Sequence, residues 1–363
     1  MKYFINNIIP HNPKYIIPQD ETIKWLKLFH SDHMEELIEK YSIKKDLINS
    51  RSVYSKGIGN FEPKSSDLFN IQTKINPNLT QRSKHNQAIC EEMINDLFRT
   101  QAQAPDHINH ITCSHYQSPS AAQKLVIGKE WHEYTKVTHL YHMGCYAALP
   151  AMRVAKSYVA DGASRVDNVH TEVCSSHIDK DDESIEQIIM KTLFSDGAIK
   201  YSIVNEDEFS KSKEGFEILS HHEELVPNSN KDMSWELGEN SFMMTLSRRV
   251  PIYLAKKIED FLSKLYERAD LSFNEEKENT VFALHPGGPK IIDLIQKKLE
   301  LNEDQVINSI NILQSRGNMS SATLPHIWKD ILDDQNVKDD NLIATIAFGP
   351  GLTITGALLR LCK

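Results

Sequence analysis

"VTHLYHMGCYAALPAMRVAKSYVADG", Val137 to Gly162, is the stretch on which the fold turns. It opens as a short apolar strand, "VTHLYHMG", and passes through one glycine into small and then apolar residues at roughly helical spacing. Asp161-Gly162 is a plausible helix stop, and "VDNVHTEVCSSHI" (Val166 to Ile178) reads as a strand again. The same pattern extends upstream. Residues 20 to 50 are helix-like, "NQAICEEMINDLFRT" (Asn86 to Thr100) has the spacing of an amphipathic helix, and "INHITCSHY" (Ile108 to Tyr116) reads as a buried strand. Alternating strand and helix with short connections predicts an α/β fold, a parallel sheet flanked by helices.

The polar segment "NEDEFSKSKEG" (Asn205 to Gly215) is the best candidate for a boundary, and it divides the chain into halves 1–210 and 211–363. Beyond it the alternation resumes. "VPIYLAKKIEDFLSKLYERA" is a long amphipathic helix, "TVFALHPGG" a strand ending in a glycine turn, and "PKIIDLIQKKLEL" a helix with Pro289 in its first turn. "LIATIAFGPGLTITGALLRL" then reads as strand, glycine loop and strand.

Composition narrows the function. The chain has 363 residues, 40% hydrophobic and 25% charged, which suffices for a large core. Its net charge of -9 comes with no run of like charge long enough to form a tail or a basic patch, which argues against nucleic acid as a partner. Five scattered cysteines (Cys90, Cys113, Cys145, Cys174 and Cys362) with no CxxC pair suggest reduced thiols in a cytoplasmic protein and no zinc site. "MKYFINNIIPHNPKYIIP" is interrupted by Asn6, Asn7, Pro10 and His11, and is expected to be a first strand and loop rather than a signal peptide. No stretch approaches the roughly 20 apolar residues of a membrane span. In "HINHITCSH" a metal site is set aside, because strand alternation sends His110 and Cys113 to opposite faces. His221-His222 is expected in a solvated loop.

Three strand-to-turn junctions carry reactive side chains: "MGCYAA" with Cys145, "HPGGPK" with His285 and "GNMSSA" with Asn318. Each has a plain structural reading: a packed thiol, a turn histidine, a turn or cap asparagine. Together they supply a nucleophile, a base and a hydrogen-bond donor at the strand ends where α/β proteins gather their chemistry.

"MGCYAALPAMRVAKSYVADG", "LFSDGA", "HPGGPKIIDLIQKKLEL", "GNMSSATLPHIW" and "AFGPGLTITGALLRL" resemble, in order and spacing, the chalcone synthase or type III polyketide synthase family. "TEVCSSHI" and "DMSWELGENSF" are closer to its bacterial members. The resemblance implies a thiolase-like fold of two pseudo-duplicated α/β halves in an αβαβα layering, a homodimer, and an internal Cys-His-Asn site reached by a pantetheine tunnel. Its substrates would be an acyl-coenzyme A starter and malonyl-coenzyme A, with no cofactor and no metal. Cys145 would take the acyl group. His285 would hold it as thiolate and, with Asn318, orient the malonyl thioester carbonyl. Phe194 and Phe242 match the two phenylalanines between tunnel and cavity, and Cys174, His177 and Ser320 match cavity positions. The Gly287-Gly288 turn would admit pantetheine close to the backbone.

Physical chemistry supports such a set. A thiolate–imidazolium pair at a helix N-terminus stays nucleophilic at neutral pH. Imidazole and carboxamide donors stabilise an enolate as an oxyanion hole does. Aromatic walls keep water from quenching it. The chain departs from the family pattern at Ser195, Ala347, Met233 and His177, which bears on the product rather than the core chemistry. Lys44, Lys45 and Arg51 are candidates for coenzyme A phosphates, with a solvated surface as the simpler reading of the lysines. A carrier-protein-dependent ketoacyl synthase of the same fold is the alternative. A papain-like protease would need its cysteine in a different local signature near the N-terminus.

Overall fold

The Val137–Gly162 stretch folds as its pattern predicts. Lys136–Tyr141 is a strand and Ala148–Ala160 a helix. Between them His142 and Gly144 take positive φ, 60° and 89°. The computed structural model describes residues 1–64, 67–247 and 249–363. In chain order its strands are β1 (Tyr3–Pro10), β2 (Tyr15–Pro18), β3 (Ser50–Val53), β4 (His107–Thr112), β5 (Lys136–Tyr141), β6 (Arg165–Val173), β7 (Asp196–Asn205), β8 (Gly215–Leu225), β9 (Met233–Leu237), β10 (Phe242–Leu246), β11 (Thr280–Leu284), β12 (Leu342–Gly349) and β13 (Thr353–Cys362). Nine of them form one sheet in the order β11-β12-β13-β8-β1-β7-β6-β4-β5.

That sheet is mixed, not parallel as the alternation suggested. Only β4–β5, β4–β6 and β11–β12 run parallel. The three residues between β12 and β13 are too few for a crossover, so these strands form an antiparallel pair. The sheet narrows at its middle, where β1 and β8 share only the pairs Phe4–Glu217 and Ile5–Phe216. Two leaves result, joined at that neck.

The layering expected from the resemblance follows from how the leaves bury their faces. Helices Ala148–Ala160 and Thr323–Asp333 share one core with residues from strands of both leaves, such as Tyr201 in β7 and Leu359 in β13. Trp328 ties this middle layer together. Its ring meets Tyr201 edge-on at 5.3 Å, and its indole N–H donates to Thr345 Oγ1 at 2.9 Å. Truncating such a buried ring to alanine costs about 3–5 kcal/mol. Helices Leu79–Leu97 and Ala121–Gly128 contribute to a second core with β4 and β6 residues, and Val250–Glu267 and Pro289–Leu299 to a third with β11, β12 and β13 residues.

Several boundaries differ from the expected ones for local reasons. The helix expected from Asn86 begins at Leu79, because Asn78 caps it: the Gln81 N–H donates to Asn78 Oδ1 at 3.0 Å and the Asn78 N–H to Gln81 Oε1 at 2.9 Å. Residues 20 to 50 hold two helices, Gln19–Phe29 and Glu35–Tyr41. The strand expected through Ile178 ends at Val173, and Cys174–His177 is a single tight turn. Asn205–Gly215 holds the short helix Glu206–Phe209. His221 and His222 lie within β8 rather than in a loop, and His222 Nε2 is 2.9 Å from Glu224. No helix among the described residues is long and apolar enough to cross a membrane.

Candidate active site

Cys145 sits in a turn just before the Ala148–Ala160 helix, where the Ala147 N–H donates back to Gly144 O at 3.1 Å. Neither Gly144 in this turn nor Gly349 opposite it has room for a side chain. A Cβ on Gly144 would lie 2.5 Å from Pro350 Cδ, and one on Gly349 2.0 Å from the Tyr146 ring. The "AFGPG" loop is therefore pressed directly against the turn that carries the thiol.

Asn318 is held by its backbone and by its side chain. Its N–H donates to Leu193 O at 3.0 Å, and its carbonyl accepts from the Ser195 N–H at 2.8 Å, which fastens it alongside Phe194. Its amide oxygen accepts from the Ser320 N–H at 2.9 Å and the Thr323 hydroxyl at 3.4 Å. That fixes which end of the amide is which. Nδ2 is left buried and without a partner among the described residues. The Cys145 thiol donates to Ser320 Oγ at 3.9 Å. Burial pushes this thiol up to about 12, opposed by its hydrogen bond to Ser320 Oγ.

His285 follows β11 and extends its ladder, its N–H donating to Ile346 O at 2.8 Å. Because β11 and β12 are paired from Thr280–Leu342 to Leu284–Ile346, His285 leaves the sheet at the same end as the loop touching Gly144. Its ring is fully buried and neither nitrogen has a partner among the described residues. Burial pushes it down to about 3. The structure thus brings Asn318 and Ser320 to the thiol, but draws no hydrogen bond between Cys145 and His285. Burial pushes each of these two groups, taken singly, towards its neutral form.

Small cavities lead away from the sulfur. One of about 30 Å³ is lined by Cys145, Cys113, Cys174, Phe194, Met233 and Ser320, among others. A second, also about 30 Å³, shares Cys174, Phe194 and Trp235 with it and reaches His177 and Phe242. A third of about 440 Å³ continues past His177 and Phe242 to Leu79 and Tyr116. Phe194 thus borders the first two and Phe242 the last two.

His177 is committed rather than free. Its Nε2–H donates to Ser114 O at 2.6 Å, Nδ1 accepts from the Phe242 N–H at 3.0 Å, and its ring stacks on Phe242 at 4.4 Å. It clamps the phenylalanine. Beside Gly288 a Cβ would meet nothing, and beside Gly287 only Ile291 Cδ1, so that turn has open space next to it. Lys44, half-exposed, and Lys45, exposed, are paired with Glu39 and Asp20. Arg51, by contrast, is 1% exposed and cannot meet a phosphate at the surface. Arg51 lies in the strand Ser50–Val53, whose last three residues are buried.

Glu172 had no separate signal in the sequence, and the "DMSWELGENSF" stretch gave no sign that it covers the site. Glu172 is buried beneath the Cys145 turn, accepting from the Cys113 N–H at 2.9 Å and from the Ser321 hydroxyl; Cys113 Sγ in turn accepts from the Gly144 N–H at 3.0 Å. Burial raises its carboxyl to about 7. The β9–β10 hairpin covers the site. Trp235 donates its indole N–H to Cys113 O at 2.7 Å, and the Trp235 carbonyl accepts from His142 Nε2–H at 2.7 Å.

Comparisons with known proteins show the family. Residues 5–207 match the family model "Chalcone and stilbene synthases, N-terminal domain", and residues 217–362 its C-terminal counterpart. The chain therefore belongs to the chalcone and stilbene synthase family, the type III polyketide synthases, acyltransferases that perform decarboxylative condensation. It is 25% identical over 359 residues to a protein of Bacillus subtilis (strain 168) named "Putative chalcone synthase", covering 96% of each. It is 26% identical over 298 residues to "Probable polyketide synthase 1" of Dictyostelium discoideum, covering 81% of this chain but 9% of that protein. The crystal structure of 1,3,6,8-tetrahydroxynaphthalene synthase from Streptomyces coelicolor A3(2) superposes with a TM-score of 0.83 at 19% identity, over 99% of both chains.

Proposed function

We propose that this enzyme builds a short polyketide from coenzyme A thioesters, with Cys145, His285 and Asn318 as its catalytic residues. The observation that carries the reading is the Asn318 amide. Its oxygen is tied down, so its buried Nδ2–H donors are left for a ligand beside the Cys145 thiol.

In the first step the Cys145 thiol passes its proton to His285. Its sulfur attacks the acyl-coenzyme A carbonyl, and coenzyme A leaves as the thiol, taking up a proton. Malonyl-coenzyme A then loses carbon dioxide, and the electron pair of the broken C–C bond becomes an enolate. Asn318 Nδ2–H and His285 donate to the enolate oxygen as charge develops there. Its carbon attacks the Cys145 thioester, and the sulfur departs, leaving a β-ketoacyl-coenzyme A for a further cycle or for ring closure to a pyrone, resorcinol or phloroglucinol. Phe194 and Phe242, with the Trp235 hairpin, keep water from the carbanion. Cys174, Ser320 and Met233 border the space for the growing chain, and pantetheine lies beside Gly287-Gly288.

Purified protein given malonyl-coenzyme A with acyl-coenzyme A starters is expected to release carbon dioxide and free coenzyme A together. Turnover confined to carrier-bound malonate would overturn this in favour of a ketoacyl synthase. We further infer a homodimer in the cytoplasm. β5 is an edge strand whose backbone is open for pairing, and Ile127 and Tyr134 near it are 67% and 68% exposed. Sedimentation equilibrium is expected to give twice the chain mass, and a monomer at micromolar concentration would refute the assembly.

A further inference from the structure

Arg51 is a buried cation that the reaction above does not use. Its Nη1 donates to the Phe194 carbonyl. Nε and Nη2 are buried and reach no acceptor among the described residues. These two nitrogens form one edge of the guanidinium, the fork that matches both oxygens of a carboxylate. The buried carboxylate whose field it feels, Asp196, is already engaged. It accepts from the Tyr54 N–H at 2.7 Å, the Ser175 N–H at 2.7 Å and the Ser175 hydroxyl at 2.6 Å, and from no nitrogen of Arg51.

Arg51 is itself a wall of the second small cavity, whose walls Cys174, Phe194 and Trp235 are also walls of the cavity at Cys145. Lys191 lines it too, with its Nζ donating to Asp182 O at 2.6 Å, and no carboxylate side chain does. The cavity wall therefore carries two cationic side chains and no anion. Its space of about 30 Å³ suits one small polar group. Leaving two N–H groups of a buried cation unpaired is costly, and an anion placed there removes that cost.

We propose that Arg51 is a specificity-determining residue that receives the carboxylate at the far end of an acyl chain carried on Cys145. The enzyme then prefers dicarboxylic acyl-coenzyme A starters to neutral ones of the same shape. The proposal rests on the reading of Cys145 as the acylated residue.

The test measures acyl loading on the full chain by intact-protein mass spectrometry, without extender. Succinyl-, glutaryl- and adipyl-coenzyme A are each paired with the branched neutral isostere: 4-methylpentanoyl, 5-methylhexanoyl and 6-methylheptanoyl. At least one diacid is expected to load about 10- to 100-fold faster than its isostere. Arg51→Met is expected to collapse that ratio to about one, and Arg51→Lys, which keeps the charge without the fork, to retain part of it. A wild-type ratio near one for all three pairs overturns the proposal without recourse to any variant. So does a wild-type ratio that Arg51→Met leaves unchanged, which would confine Arg51 to supporting Phe194. Adducts with neutral chains but no diacid preference sink this proposal alone, whereas no adduct from any thioester sinks the reading of Cys145 as well.

Discussion

Cys145→Ala is expected to fold and to take no acyl group from any coenzyme A thioester, with condensation falling at least about a thousandfold. The side chain is 8% exposed and borders a cavity already there, so losing one sulfur costs little packing. Intact mass reads the adduct, and a thermal melt reads the fold. An adduct forming at the wild-type rate would place the nucleophile elsewhere, and peptide mapping would identify Cys113 or Cys174, which line the same cavity.

The same thiol sets a pH signature. Burial, as the largest cause, takes it up to about 12, so that the free thiol is held in its neutral form at pH 7. Taken singly, His285 is also pushed to its neutral form. A proton passed from sulfur to imidazole changes no net charge and gives each ion the other's field, so the pair is accessible where either ion alone is not. The sign follows. Imidazolium lowers the thiol, and its removal leaves only the upward push of burial. Alkylation of wild-type Cys145 by iodoacetamide is expected to level off near neutral pH. His285→Ala is expected to be at least about 100-fold slower at pH 7 and to rise about tenfold per pH unit through pH 9. Matching profiles would remove His285 from its role.

The candidate junctions were legible through the glycines that mark a change of structure: Gly144 before Cys145, Gly287-Gly288 after His285, Gly317 before Asn318. Cys145 and His285 follow strands as expected, whereas Asn318, also expected at a strand end, follows the helix Ile307–Arg316, since glycine ends a helix as readily as a strand. Glu172 was not legible, because β6 is buried on both faces and its alternation marks no side. His177 and Arg51 mark a second limit. Residue type suggested a polar cavity wall for one and a phosphate contact for the other. Their roles depend on partners far along the chain, Ser114 and Phe242 for His177 and the Phe194 carbonyl for Arg51, and no local pattern reports such pairings. Strand direction was hidden in the same way. The pattern that located β12 and β13 is silent on whether they run parallel, and only the three-residue link between them decides it.

Asn318 is where local legibility and distant support meet, and its substitution separates the two half-reactions. Asn318→Ala is expected to accept an acyl group on Cys145 at close to the wild-type rate, because loading requires the thiol and its proton acceptor. Decarboxylation of malonyl-coenzyme A is expected to fall about 10²- to 10³-fold, the usual loss when one donor to a developing oxyanion is removed. Asn318→Asp is the sharper variant. Its oxygen in the Oδ1 position keeps the Ser320 N–H and Thr323 hydroxyl, so the side chain holds its orientation. Its second oxygen then stands where Nδ2 stood, and a carboxylate there repels the enolate instead of donating to it. Asp is therefore expected to be slower than Ala in carbon dioxide release at pH 7, and to recover towards Ala as acid protonates the carboxyl. Release of labelled carbon dioxide measured beside the mass of the loaded protein distinguishes the outcomes. Equal losses in loading and decarboxylation would make Asn318 a support for the Phe194 segment it is bonded to, and Asp faster than Ala would remove the donor role altogether.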